Sequence, residues 1–263
     1  MTETCPVHLV TLAQRLADAS ASVIRRYYRN IPGVDEKSDH TPVTVADREA
    51  ERIIRAILEA ERPDDGILGE ELGRCNPEAD YQWVLDPIDG TKSFVVGRPL
   101  FVTLIALVYR GRPILGLIDQ PVVADRWVGA AGRPTSLNRA TVQTRPCPSL
   151  SAAVLGCTTP DIFLSEAEQE AFQRVSEACR MTVWGGDGYS YGLLACGSYD
   201  LIIEADMKFH DYAALVPVVN GAGGLITDWQ GQPLGPHSDG RVLAAGDPYL
   251  HAQALAMLNG AQP

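Results

Sequence analysis

Asp86 and Asp89 stand three residues apart in the run Trp83-Val84-Leu85-Asp86-Pro87-Ile88-Asp89-Gly90-Thr91. A short apolar strand, Trp83 to Leu85, delivers two carboxylates onto a bend that Pro87 stiffens. Such a pair repels itself unless a cation sits between the two groups. Hard divalent cations take several oxygen ligands, and Mg2+ does well with a few carboxylates, waters and a substrate phosphate. Gly90 lets the backbone approach a ligand, and Thr91 brings a hydroxyl. The plainer reading is an Asp-rich turn capping the helix that follows.

The elements around this run must hold it in place. Residues 7–29 carry apolar positions at helical spacing, and Pro32-Gly33 stops that helix. A polar loop from Asp35 to Pro42 follows. Asp47 to Ala60 repeats the helical pattern, and Pro63 ends it. Gly66 to Gly69 reads as a short strand ending in Glu70-Glu71. Val102–Val108, Ile114–Asp119 and Arg126–Ala130 read as strands. The stretch 132–150 is rich in Arg, Pro, Thr and Ser and reads as a boundary, giving subdomains 1–145 and 146–263. Beyond it, strands are expected over Ala152–Gly156, Met181–Trp184, Leu201–Glu204, Leu225–Asp228 and Val242–Ala245. Helices are expected over Glu166–Arg180, Tyr191–Ala195, Asp211–Asn220 and Pro248–Leu258. Helices grouped before strands in one half, and alternating with them in the other, predict layered helices and sheets.

The chain has 263 residues, with 22 Lys and Arg against 33 Asp and Glu, for a net charge of −11. Hydrophobic residues at 46% and charged residues at 21% are those of a folded globular protein. The acidity argues against a nucleic-acid partner held through phosphate contacts. It leaves a small phosphorylated substrate open, provided cations supply the positive charge. The six cysteines form no C-x-x-C pair and no zinc spacing, so they read as reduced thiols of a cytoplasmic protein. The N-terminus lacks the pattern of a signal peptide, and no apolar run approaches a membrane span.

The run D-P-I-D-G-T-K-S-F resembles the first signature of the inositol monophosphatase family of Mg2+-dependent, lithium-sensitive phosphatases. A second signature of that family is matched by His210-Asp211-Tyr212-Ala213-Ala214 with Ala222-Gly223-Gly224. Gly69-Glu70-Glu71, sixteen residues ahead of Asp86, and Pro42-Val43-Thr44-Val45-Ala46-Asp47 complete the set, in the family's order. The resemblance implies the family's fold, an α+β / α/β sandwich of alternating helix and sheet layers. It implies that Glu70, Asp86, Asp89, Asp211 and the carbonyl of Ile88 ligate two or three Mg2+ per site. It implies that Gly90 and Thr91 offer backbone N–H groups to the phosphate. It further implies that Thr91 and Asp47, as a hydrogen-bonded pair, act with Glu70 to orient and deprotonate a metal-bound water. A homodimer is implied too. Two departures stand out: His210 replaces the usual Trp, and Pro217 should kink the helix that Asp211 begins.

Taken singly, these residues have plainer readings. Asp47 and Asp211 are plausible helix N-caps, and Glu70-Glu71 a solvated loop. Within the family, Trp184 to Gly192, Glu204 and Gly116-Leu117-Ile118-Asp119-Gln120-Pro121 resemble the histidinol-phosphatase branch. Glu204 stands where relatives hold a substrate-contacting carboxylate. Asp187 replaces a small neutral residue. Inositol offers only hydroxyls, whereas histidinol phosphate carries an ammonium and an imidazole. A second carboxylate such as Asp187 could pair with either through a charge-assisted hydrogen bond. The expected reaction is hydrolysis of L-histidinol phosphate to L-histidinol and phosphate, in histidine biosynthesis. One alternative is an inositol-phosphate or broad sugar-phosphate phosphatase. The other is a non-catalytic, metal-dependent small-molecule sensor. Asp187 has its own plain reading as a turn residue among glycines, and Tyr189 and Tyr191 as packing residues.

Overall fold

In strand after strand, residues with odd and even numbers enter different hydrophobic layers, as the two-residue period of a strand demands. The computed structural model describes residues 4–31, 33–36 and 42–260, so most of the polar loop expected between Asp35 and Pro42 lies outside them. The first half runs α1 (Val7–Tyr27), β1 (Val34–Glu36), β2 (Pro42–Thr44), α2 (Val45–Glu61), β3 (Gly66–Gly69), β4 (Gly73–Cys75), β5 (Tyr81–Asp89), α3 (Thr91–Val95) and β6 (Val102–Tyr109). It continues through β7 (Arg112–Gln120), β8 (Asp125–Ala130), β9 (Arg133–Leu137) and β10 (Ala140–Thr141). The second half runs β11 (Val154–Cys157), α4 (Glu166–Ala178), β12 (Met181–Trp184), α5 (Asp187–Ala195), β13 (Leu201–Glu204), α6 (Phe209–Tyr212), α7 (Leu215–Gly221), β14 (Leu225–Thr227), β15 (Val242–Ala245) and α8 (Pro248–Leu258).

Among the described residues the large sheet has eight strands in the order β10-β9-β8-β7-β6-β5-β3-β4, and the small one has five in the order β12-β11-β13-β15-β14. Trp83, Leu85, Ile105, Leu107, Leu115 and Leu117 face α1 and α2. Their neighbours Val84, Leu104, Ala106, Val108 and Ile118 face the other way, onto Tyr191, Leu194, Leu215 and Val218 of α5 and α7. Ile202 and Ala244 of the small sheet close that middle layer from the far side. Leu201, Ile203, Leu243 and Ala245 point away from it, against Phe172 and Val175 of α4 and Leu250 and Ala254 of α8. The result is the expected layered sandwich, in the order helix, sheet, helix, sheet, helix.

The stretch 132–150 is not all linker: β9 and β10 extend the large sheet at its edge. The middle layer sits unusually close to the large sheet. A Cβ at Gly116 would lie 1.9 Å from the Ala214 carbonyl oxygen, a backbone atom with nowhere to go. Gly116→Ala is therefore expected to cost about 3 kcal/mol, the upper range for overpacking, read as a lowered urea midpoint at unchanged m.

Candidate metal centre and active site

Three residues of spacing would put Asp86 and Asp89 on opposite faces of a regular strand. The chain solves this with a bulge rather than the tight turn expected from sequence. Strand β5 continues through both carboxylates, and Asp86 pairs with Leu104 while Asp89 pairs with Val102. Pro87 and Ile88 thus stand opposite the single residue Thr103. Pro87 has no N–H to give the ladder, which makes it a natural bulge residue. The Thr103 hydroxyl donates to the Pro87 carbonyl at 2.8 Å, and Asp86 Oδ1 accepts from the Ile88 N–H at 3.1 Å. With one residue extra, both carboxylates share the face of Leu104 and Val102, toward the middle layer.

Asp211 meets them from that layer. One oxygen from each of Asp86, Asp89 and Asp211 lies within 4.8 Å of the others. Asp211 Oδ2 accepts from the Lys208 N–H at 2.6 Å, closing the first turn of α6, and Oδ1 lies 3.3 Å from His210 Nε2. The substitution of His210 for Trp therefore sets a ring beside the carboxylate without displacing it. The helix expected over Asp211–Asn220 is broken into α6 and α7, ahead of Pro217. Proline offers no N–H to the carbonyl four residues back, that of Ala213, so helical pairing lapses there.

Glu70 follows β3, where its N–H donates to the Leu85 carbonyl at 3.1 Å. Its side chain shares a hydrogen bond with Asp86. Burial, then the charges of Glu70, Asp89 and Asp211, push the Asp86 carboxyl well above the usual carboxylate range. Burial, then Asp187 and Asp211, do the same to Asp89. Burial raises Asp211 too, against the opposing pull of His210. With Asp86 buried and Asp89 and Asp211 half-buried, carboxylates that lift one another's pKa in this way form a hard-oxygen donor set, and a divalent cation fits it.

The expected Thr91–Asp47 hydrogen bond is not made. Thr91 Oγ1 donates to the Ile88 carbonyl at 3.0 Å. Asp47 Oδ2 accepts from the Thr44 N–H at 2.8 Å and from the Thr44 hydroxyl. The cause is local: Thr44 is the N-cap of α2, and Asp47 is its capping-box partner three residues on. Burial and then, against its Thr44 hydrogen bonds, the charge of Glu70 raise the pKa of Asp47. The Ile88 carbonyl, expected to ligate metal, holds one hydrogen bond and keeps a second lone pair.

The second carboxylate cluster comes from α5 and β13. Gly185, Gly186 and Asp187 all have positive φ, of 90°, 115° and 45°, and the following Gly188 N–H donates to Asp89 Oδ2. This turn brings Asp187 against the bulge: a Cβ on Gly90 would lie 2.9 Å from Asp187 Oδ2. Among the described residues no donor hydrogen-bonds to the Asp187 carboxylate. Burial pushes its pKa up to about 6, with Lys92 and Arg98 opposing and Asp211 assisting. Glu204 is buried, and accepts from the Thr158 N–H at 2.9 Å, from the Thr158 hydroxyl and from the Tyr191 hydroxyl at 3.2 Å. Burial pushes it up to about 7, with Asp187 assisting against the Thr158 hydrogen bonds. Tyr189 packs edge-on against Trp127 and donates to Asp125, so this pair of tyrosines serves packing and Glu204.

Sequence reasoning missed Glu51 and Arg55, buried on α2 behind Glu70. Their signal was present: Asp47, Glu51 and Arg55 recur every four residues, the spacing of one helix face.

The six cysteines are free, and no helix among the described residues is long and apolar enough to cross a membrane. The inositol monophosphatase family model matches residues 7–262. The chain is 50% identical over 252 residues to a bifunctional phosphatase of Arabidopsis thaliana, IMPL2, chloroplastic, covering 92% of this chain and 72% of that protein. It is 37% identical to a histidinol-phosphatase of Mycobacterium tuberculosis, over 94% of this chain and 96% of that one. It superimposes on a solved inositol monophosphatase from Zymomonas mobilis with a TM-score of 0.87, at 50% identity, over 95% of this chain and 97% of the other. With its acidic centre on the bulged strand and its layered sandwich, the chain belongs to the inositol monophosphatase family, whose members are metal-dependent phosphatases.

Proposed function

We propose that the protein hydrolyses L-histidinol phosphate to L-histidinol and phosphate, with two or three Mg2+ ions, as a step of histidine biosynthesis. The observation that carries the substrate is Asp187. It is a half-buried carboxylate, without a hydrogen-bond donor among the described residues, set beside the catalytic bulge. A leaving group that is itself cationic meets both its charge and its free acceptors, whereas an inositol hydroxyl would meet only the acceptors.

In this reading Glu70, Asp86, Asp89, Asp211 and the Ile88 carbonyl hold the cations. Bound there, Mg2+ would neutralise charge on the phosphate and lower the pKa of water. The N–H groups of Gly90 and Thr91 orient the phosphate. Glu70, whose charge helps to raise the pKa of Asp47, accepts the proton of the attacking water. No nucleophilic Ser or Cys is required, because phosphoryl transfer rests on positioning and charge stabilisation. Residues 1–145 form a subdomain bearing most of the ligands. Residues 146–263 form one bearing Asp211 and the substrate carboxylates Asp187 and Glu204.

The second reading, an inositol-phosphate phosphatase, is favoured by the likeness to the Zymomonas mobilis structure. Side-by-side kcat/KM values on histidinol phosphate and inositol 1-phosphate decide between them. Histidinol phosphate is expected to win by about 10-fold or more, the weight of one charge-assisted hydrogen bond. Both activities should vanish in a chelator. A clear preference for inositol 1-phosphate would sink the first reading, and no phosphate release from either ester would sink both.

A further inference from the structure

We infer that Glu51 is a positioning residue that fixes the turn carrying Glu70, and thereby sets how tightly the centre holds its cation. The inference rests on the reading of Glu70 as a metal ligand. Glu51 is fully buried, one helical turn beyond Asp47 on the same face of α2. Three donors converge on its carboxylate. Arg55 Nε donates to Oε1 at 2.7 Å, the Leu72 N–H to Oε1 at 3.2 Å, and the Glu71 N–H to Oε2 at 2.8 Å. Arg55 reaches past it to donate to the Gly73 carbonyl.

These contacts strap the whole Gly69–Gly73 turn to α2. Gly69 pairs with Gly73 at the end of a hairpin only four and three residues long, at the edge of the large sheet. So short a hairpin holds its turn poorly by itself. The Glu70 N–H is tied to Leu85 on one side, and the Glu71 N–H to Glu51 on the other. The direction of the Glu70 side chain, toward Asp86, is fixed between the two ties. Gly69 completes the fit, since a Cβ there would lie 1.9 Å from Glu51 Oε1. A buried ion pair along a helix contributes little by itself, because desolvation offsets the attraction. The two backbone N–H groups of the turn give this one its use. Residues that orient a metal ligand typically govern metal affinity by 10- to 100-fold.

The test is Mn2+ binding to the full chain without substrate, followed by the electron paramagnetic resonance of free Mn2+. Glu51→Ala is expected to raise the Mn2+ dissociation constant by about 10-fold or more. The Mg2+ concentration for half-maximal phosphate release should rise in parallel, while KM for the ester at saturating Mg2+ stays within about two-fold. Arg55→Met leaves both turn contacts of Glu51 in place and should shift Mn2+ affinity less. Glu51→Gln has the same size and keeps one acceptor, so it carries the test should the alanine variant not fold. A folded Glu51 variant with unaltered Mn2+ affinity overturns the inference, provided Glu70→Gln weakens binding. Unaltered affinity in Glu70→Gln overturns instead the reading on which it rests.

Discussion

Asp89→Asn is expected to lower phosphate release by about 1,000-fold or more, the upper end of what one preorganised electrostatic group supplies, while making the chelated protein more stable. The two effects share a cause. Asp89 lies beside Asp86 and Asp211, and burial, then the charges of Asp187 and Asp211, raise its pKa well above the usual range. Ionised and without a cation, it opposes folding. The sign follows by linkage. A carboxyl whose folded pKa lies above its unfolded value gives its full stability below the unfolded pKa. That stability is lost as pH rises through the folded pKa. Asp86 and Asp211 share the direction. In chelator, the melting temperature should therefore fall as pH climbs from about 4, where an unfolded Asp ionises. Asn keeps an acceptor for the Gly188 N–H and removes one charge. It should raise the chelated protein's stability at pH 7.5 by about 1 kcal/mol or more, roughly 2–4 °C for a domain of this size. Mg2+ should stabilise the wild type by mass action and the variant far less. Thermal melts with chelator and with Mg2+, at several pH values, check all three. A variant that melts lower than wild type in chelator would show that Asp89 is a structural residue first.

The same strand shows what a sequence carries and what it hides. The motif around Asp86 pointed to a carboxylate cluster, and the structure brings Asp86, Asp89 and Asp211 within 4.8 Å of one another, with Glu70 beside Asp86. How it does so was not legible. A D-P-x-D run reads as a bend, and only the pairing with β6 reveals that one extra residue turns both carboxylates to one face. Strands were legible where burial alternates or is continuous, as in β6 and β7, and not at the β9–β10 edge of the large sheet. Arg133 and Pro134 of β9, and both residues of β10, are exposed, so neither strand leaves a hydrophobic signature. The Thr91–Asp47 pairing failed for another reason. Asp47 had two possible partners, and Thr44, three residues away on the same helix start, takes both its hydroxyl and its N–H to that carboxylate. Glu51 was passed over because a charged residue on a helix is usually solvated, and only its converging donors reveal a strap.

Asp187→Asn should separate substrate choice from chemistry. If Asp187 pairs with the cationic leaving group, the variant loses one charge-assisted hydrogen bond of about 1.5–3 kcal/mol. That corresponds to a fall of roughly 10- to 100-fold in kcat/KM for histidinol phosphate. Inositol 1-phosphate, which offers no cation, should be hydrolysed as before or better. The amide remains close in size beside Gly90, so the bulge and its carboxylates are left in place. The pH profile adds a second discriminator. Asp187 is held up to about 6 by burial, so the carboxylate that would bind the cation is gained as pH rises through that value. The ester's own phosphate also ionises near pH 6. Inositol 1-phosphate carries the same phosphate, and the ratio of the two kcat/KM values removes its contribution. Against the ammonium, which stays charged throughout, that ratio in the wild type should climb in favour of histidinol phosphate from pH 5 to 7, and in the variant this climb should be lost. Any rise that remains near pH 7 is expected from Glu204, which burial pushes up to about 7 against its Thr158 and Tyr191 hydrogen bonds, and from the ester's own imidazole. A ratio that is flat in the wild type, or unchanged by the substitution, would make Asp187 a residue of the turn and leave the choice of ester to other groups.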